Sequence, residues 1–265
     1  MRLGFSTVIY ENTSLTHSEM IRRAAILGCE GIELNFKSLP SELSLDEIKN
    51  SLRQNRIEVA AIGTRHMHVT HGLYLASPQK EVRRKAFTYM TECMKIARQL
   101  DCQLIQAGWA FQGSRLEAPF DAAWRQAVRS LKEVGKLAKE HDARLAIEFA
   151  CKQDAQLVNT MDDALRMLAE VNDDNVVVMA DTFHIYSEKN SFRGAVLKAG
   201  NKLGYVHVSD SGRLPPGTGQ INFREFVNAL MEIGYKGYMV MEFSPYATPD
   251  EALRQAIPYL RKLLA

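Results

Sequence analysis

Four apolar runs in the second half of the chain each finish on a side chain suited to holding a divalent cation: LAI-Glu148, VVVMA-Asp181, YV-His207 and MVM-Glu242. A strand buried on both faces reads as a short continuous apolar run rather than an alternating one. An acid or imidazole at its C-terminal tip then stands where the strand leaves the core. Four such endings, spaced by roughly thirty residues, the length of a βα unit, bring three carboxylates and one imidazole to one end of a parallel barrel. Carboxylates crowded in a low-dielectric site repel one another, so something positive must hold them ionised. A divalent metal is the economical answer. Three oxygen ligands and one imidazole suit manganese first, with cobalt, magnesium or iron close behind, and zinc is an alternative although no thiolate-rich set is present.

The elements that must position these groups are legible in the same way. Strand-like runs fall near residues 2–6, 31–34, 57–62, 103–107, 144–148, 176–181, 205–209 and 238–242. Eight is the number of a (β/α)8 TIM barrel, an α/β fold of ~250 residues. Helix starts carry caps: Thr16 with Glu19, Ser44 with Glu47, and Thr248-Pro249-Asp250-Glu251 each place a hydroxyl three residues before a glutamate, and Ser77-Pro78 is a further candidate. The segment ILGCEGIEL around Gly28 and Gly31 reappears as EIGYKGYMVME around Gly234 and Gly237, as though one αβ junction is used twice. No linker or composition shift divides the chain, so residues 1–265 are expected to form one barrel domain.

Composition narrows the function classes. The chain has 265 residues, 46% of them hydrophobic, enough for a full core. Its 33 basic and 31 acidic residues leave a formal charge of +2, which argues against a nucleic-acid surface or an anionic membrane as partner. Cys29, Cys93, Cys102 and Cys151 lack any CxxC or disulfide-like spacing and fit reduced thiols. No run approaches the ~18 apolar residues of a membrane span, and MRLGFSTVIYENTSL lacks the pattern of a secretion signal. A cytoplasmic protein, assembled as a homo-oligomer of two or four copies, is the expectation.

In a TIM barrel the chemistry sits at the C-terminal ends of the strands and on the loops that follow. The fifth strand then supplies Glu148 and Asp154, the sixth Asp181 and His184, the seventh His207, Asp210 and Arg213, and the eighth Glu242. Glu33 ends the second strand, Trp109 follows the fourth, and Arg65, His66, His68 and His71 follow the third on a loop where histidines are commonly solvated. Each has a plainer alternative. The glutamates suit salt bridges in the barrel mouth, His207 a satisfied core histidine, and Trp109 a packing residue. His184 and Arg213 suit surface roles, Glu33 suits a basic neighbour, and Asp210 suits either orientation of a ligand or the capping of a turn.

With these residues in place, the sequence resembles the xylose-isomerase-like sugar isomerases and epimerases, and among them the ketose 3-epimerases related to D-tagatose 3-epimerase. The matching pieces are GCEGIEL at 28–34, IEFACKQDAQLVNT at 147–160, ADTFHIY at 180–186, YVHVSDSGRLPPGTGQINF at 205–223 and GYMVMEF at 237–243, so the likeness runs along essentially the whole chain. The resemblance implies that Glu148, Asp181, His207 and Glu242 are the metal ligands. It further implies that His184 and Arg213 hold the carbonyl end of a sugar. Asp154 takes a place where the close epimerases usually carry glutamate, and Cys151 one where asparagine is frequent.

The residues themselves allow the same chemistry. A proton on carbon next to a carbonyl becomes removable when a cation polarises that oxygen and a carboxylate is within reach. Two carboxylates on opposite faces, Glu148 and Glu242, permit inversion at C3 through a cis-enediolate. A single base working between C1 and C2 would instead interconvert an aldose and a ketose, which is the alternative. A keto-cyclitol dehydratase would share the metal and the proton abstraction. An apurinic endonuclease on the same barrel demands more metal ligands, and here the fourth strand ends Gln106-Ala107-Gly108-Trp109 without a histidine. The glycine-rich loop Leu214-Pro215-Pro216-Gly217-Thr218-Gly219 lies where barrels often bind phosphate. Only Arg213 supplies charge there, so an unphosphorylated sugar is expected.

Overall fold

The computed structural model describes residues 1–244 and 248–265. Eight strands follow one another in chain order around a closed barrel: β1 (Arg2–Ser6), β2 (Gly31–Asn35), β3 (Glu58–Gly63), β4 (Leu104–Ala107), β5 (Arg144–Glu148), β6 (Val176–Asp181), β7 (Leu203–Val208) and β8 (Tyr238–Met241). This is the expected TIM barrel. Strand β1 pairs in parallel with both β2 and β8, β4 with β3 and β5, β5 with β6, and β7 with β8. Parallel neighbours require the chain to be carried back between them, and helices such as His17–Leu27, Phe120–Glu140 and Met161–Val171 do so.

Two compact units can be distinguished. The first comprises Met1–Leu34, Ser44–Ala60 and Ala180–Ala265, with a core built on Phe5, Ile21, Ile32, Leu34, Val206, Val208 and Val240, all fully buried. The second comprises Asn35–Leu43 and Ala61–Met179, with Ile62, Ile105, Leu131, Leu145, Ile147 and Val178 as its fully buried centre. Each such side chain stabilises by about 1.5–3 kcal/mol relative to exposure, which is why the strands read as unbroken apolar runs. All four cysteines are buried, and none is in a disulfide. Among the described residues no helix is long and apolar enough to cross a membrane.

Element ends differ from the sequence pattern where local hydrogen bonds compete. Strand β3 starts at Glu58, one residue late, because Arg56 adopts a left-handed conformation and the Ile57 amide bonds back to Leu52 at the end of the preceding helix. Strand β7 stops before Ser209, whose amide bonds Thr182 Oγ1 at 2.9 Å rather than a neighbouring strand. The caps at Thr16 and Thr248 form complete boxes with Glu19 and Glu251. Ser44 caps nothing: the helix Asp46–Asn55 starts after Leu45, so the hydroxyl stands one residue too early. Ser77 instead closes a turn, accepting from the Gln79 amide at 3.3 Å, and the helix begins at Lys80. A box at Thr160 with Asp163 went unread, aspartate replacing the usual glutamate.

The repeated αβ junction has a physical basis. Gly28 (φ 81°) and Gly234 (φ 69°) both occupy the left-handed region just past a helix. Gly31 has a second reason to lack a side chain, since a Cβ there would overlap the ring of Tyr238. That ring is fixed from two other sides. The Tyr238 hydroxyl donates to Glu58 Oε2 at 2.9 Å, and the Arg2 guanidinium lies 4.0 Å over the ring. The Tyr238 hydrogen bond and Arg2 hold the Glu58 carboxyl below its ordinary pKa. Gly31→Ala should therefore destabilise the fold by about 1–3 kcal/mol, read as a lower urea midpoint. An unchanged midpoint would mean that the ring is free to move aside.

Candidate functional site

The first compact unit links six of the residues singled out in the sequence: Glu33, Asp181, His184, His207, Arg213 and Glu242. Asp181 ends β6 fully buried, and its carboxylate is divided between two tasks. Oδ1 accepts from the Phe183 amide at 2.8 Å, capping the helix Thr182–Ser187, and Oδ2 accepts from Arg213 Nη1 at 2.6 Å. The same Nη1 reaches Glu242 Oε2 at 3.0 Å, while Nη2 lies 3.0 Å from His184 Nε2. The guanidinium also rests 4.5 Å over the ring of Phe183. The helix turn after β6 thus carries His184 and Phe183 to two sides of Arg213. Part of the positive charge required by the clustered acids comes from the chain itself.

His207 lies on β7, one residue before its end rather than at the tip, and is fully buried. Its Nε2 meets Glu33 Oε2 at 2.8 Å, and its Nδ1 lies 3.5 Å from Glu242 Oε2. Burial opposes a charged imidazole, but the carboxylates of Glu33 and Glu242 outweigh it and hold the His207 pKa well above the ordinary range. Glu33, on β2, accepts in addition from Ser6 Oγ at 2.8 Å and from the Tyr205 hydroxyl at 3.0 Å. Its basic neighbour is therefore His207. Glu33, His207 and Glu242 offer ligand atoms close enough together to hold a metal ion.

Asp210 settles into the turn-capping role. Oδ1 accepts from the amides of Ser211 (2.8 Å) and Ile221 (2.9 Å), and Oδ2 from that of Gly217 (3.0 Å). One buried carboxylate therefore shapes the glycine-rich loop after β7. Gly212 and Arg213 both take left-handed backbone conformations (φ 69° and 59°) within this turn, which aims the arginine, and the Arg213 carbonyl accepts from the Ser244 amide at 2.8 Å.

In the second unit Glu148 ends β5, buried, with Oε2 accepting from Gln106 Nε2 at 2.8 Å. A Cβ on Gly108 would stand 2.6 Å from that oxygen, so the glycine after β4 makes room for the carboxylate. In the β5–β6 register Glu148 pairs with Met179, and Asp181 lies two residues further along the same strand. Trp109 donates through Nε1 to the Asp154 carbonyl at 2.8 Å, and the Arg65 guanidinium stands 5.1 Å over the indole. Trp109 and Asp154 are thus joined, through the backbone rather than the carboxylate. Burial and Asp154 raise the pKa of the Cys151 thiol, the inert direction for a cysteine.

The expectation of solvated histidines after β3 is corrected. Residues 65–69 form a short helix, His66 is buried with Nδ1 2.9 Å from Thr70 Oγ1, and His68 Nε2 lies 3.0 Å from Ser114 Oγ. Sequence reasoning gave no role to Gln106 and no specific partner to Glu33. A polar residue inside an otherwise apolar strand was the available signal for both.

A D-psicose 3-epimerase of Ruminiclostridium cellulolyticum is 31% identical over 84% of this chain and 76% of its own length. An L-ribulose 3-epimerase of Mesorhizobium japonicum is 29% identical over 72% of this chain and 65% of its own. The crystal structure of D-psicose 3-epimerase with D-tagatose from Clostridium cellulolyticum superposes with a TM-score of 0.88 at 25% identity, covering 100% of this chain and 99% of that one. Residues 21–263 match the profile of the xylose isomerase-like TIM barrels, and the chain belongs to that family.

Proposed function

We propose that the chain is a metal-dependent sugar epimerase that inverts the carbon beside a ketone, C3 of a ketose. In this reading Glu148 and Glu242 exchange the proton, and Glu148, Asp181, His207 and Glu242 hold one divalent ion, manganese first. The observation that carries it is the meeting of Asp181 and Glu242 on a single guanidinium nitrogen of Arg213, at 2.6 and 3.0 Å, with His207 Nδ1 3.5 Å from Glu242. Parallel strand partners and residues two apart on one strand point to the same face, so the β5–β6 register supports adding Glu148 to Asp181. The relatives named D-psicose and L-ribulose 3-epimerase support a ketose as substrate class.

The donor set fits such an ion: carboxylate oxygens and one imidazole nitrogen, with no thiolate among them. When bound, a divalent ion lowers the cost of the negative charge that develops on the substrate's oxygens. The remaining work falls to side chains. His184 and Arg213 hold the carbonyl end of the sugar, and Trp109 and Asp154 line its surroundings. One glutamate removes the C3 proton, leaving a cis-enediolate, and the other delivers a proton to the opposite face. Gln106, donating to Glu148 at 2.8 Å, fixes the orientation of that carboxylate. The loop after β7 suits an unphosphorylated sugar, because Asp210 already engages its Gly217 and Ile221 amides, which are then not available to a phosphate.

Incubating the protein and Mn²⁺ with ketoses in deuterated water should give a C3-inverted product carrying deuterium at C3, followed by NMR. Glu→Gln at Glu148 or Glu242 should lower turnover by more than the ~10²–10⁴ of a single acid–base contribution, each glutamate being a ligand as well. Hydrogen transfer between C1 and C2 without inversion would establish an aldose–ketose isomerase instead.

The ligand assignment is tested separately. Asp181→Ala should abolish tight metal binding, and elemental analysis returning the wild-type stoichiometry would remove Asp181 from the set.

Arg213→Lys replaces a planar fork by a point charge that cannot serve two carboxylates and His184 together. Its kcat/KM should fall roughly 10- to 100-fold, equivalent to the ~1.5–3 kcal/mol of charged hydrogen bonds, while metal content stays unchanged. Full activity on the identified sugar would end the assignment of Arg213 to the substrate.

A further inference from the structure

Glu33 is a fully buried carboxylate that the proposed chemistry leaves unused, and it stands against a proposed ligand. Two readings compete, since Glu33, His207 and Glu242 are near enough to share an ion. Hydrogen bonding separates them. A carboxylate has about four acceptor sites, and Glu33 gives at least three of them to Ser6 Oγ, the Tyr205 hydroxyl and His207 Nε2, at 2.8, 3.0 and 2.8 Å. At most about one acceptor site is then left for an ion, on a carboxylate that its protein donors already hold in place and that is itself fully buried.

We propose that Glu33 is the positioning residue of the metal site: by accepting from His207 Nε2 it leaves Nδ1 as the nitrogen that faces Glu242 and the cation. This rests on the metal reading given above. Glu33 Oε2 accepts at the 2.8 Å contact, so Nε2 carries the shared hydrogen, and Nδ1 is the nitrogen that would exchange a proton for an ion. The distances agree, with Nε2 at 2.8 Å from Glu33 and Nδ1 at 3.5 Å from Glu242. Ser6 at the end of β1 and Tyr205, two residues before His207 on β7, hold Glu33 in turn. The orientation of the imidazole is thus set by three strands rather than by its own rotamer alone.

The test is calorimetric titration of metal-stripped protein with Mn²⁺, beside the electron paramagnetic resonance spectrum of the bound ion. Glu33→Gln keeps the size of the side chain but leaves at best a neutral amide oxygen to accept from His207, so the anchor of the imidazole is weakened. Its Mn²⁺ affinity should fall about 10- to 100-fold, the range for partners of metal-bound histidine, with an altered spectrum. Tyr205→Phe, which removes only a hydroxyl that bonds Glu33, should fall between wild type and Glu33→Gln, and it carries the test should Glu33→Gln not fold. A purely structural role would lower Tm in both variants without changing Mn²⁺ affinity, and that result overturns the proposal. Absence of Mn²⁺ binding in the wild-type protein would overturn the metal reading itself.

Discussion

Negative charge buried at the end of an apolar barrel is the constraint on which the rest of the site depends. Removing an ionised carboxylate from water costs several kcal/mol even after relaxation, and the first compact unit buries Glu33 and Asp181 almost completely, with Glu242 close by. The arrangement that tolerates this alternates in sign. Glu33 meets His207, His207 meets Glu242, and Glu242 meets Arg213, which also meets Asp181. Each cation lies between two anions, so loss of any one member leaves its neighbours uncompensated.

That alternation explains features which otherwise look like details of loop structure. Arg213 reaches both carboxylates only because its own backbone and that of Gly212 turn left-handed, and Asp210 makes that turn possible by bonding three amides of the loop. Thr182 fixes the ends of β6 and β7, its hydroxyl donating to the Ser209 carbonyl at 2.6 Å and accepting from the Ser209 amide. In the second unit the absence of a side chain at Gly108 and the amide of Gln106 serve Glu148 in the same spirit. A barrel fold supports many chemistries. Here the side chains around the acids, rather than the barrel, set the local electrostatics.

Each unit also sets an aromatic ring against an arginine. Phe183 gives Arg213 an aromatic face that restricts its plane. Trp109, tied to the Asp154 carbonyl and faced by Arg65, is held rigidly at the end of β4. Each lies two residues past a strand end, in the first turn of a short helix.

The barrel and most of the candidate ligands were legible in the sequence because both depend on local period. Buried parallel strands must be short apolar runs, and the acids or imidazole at or near their ends fall at the spacing of a βα unit, so Glu148, Asp181, His207 and Glu242 could be picked out together. The complete caps at Thr16 and Thr248 were legible for the same reason, since donor and acceptor lie three residues apart. Ser44 and Ser77 misled because the first helical residue is set by packing as well as by the hydroxyl. What only the tertiary structure decided are the pairings across long separations. Glu33 and His207 are 174 residues apart, and Arg213 lies 32 residues from Asp181 and 29 from Glu242. No period links such positions. Their partners are chosen by desolvation once the strands have come together, when each buried charge must find an opposite one or a donor within hydrogen-bond reach.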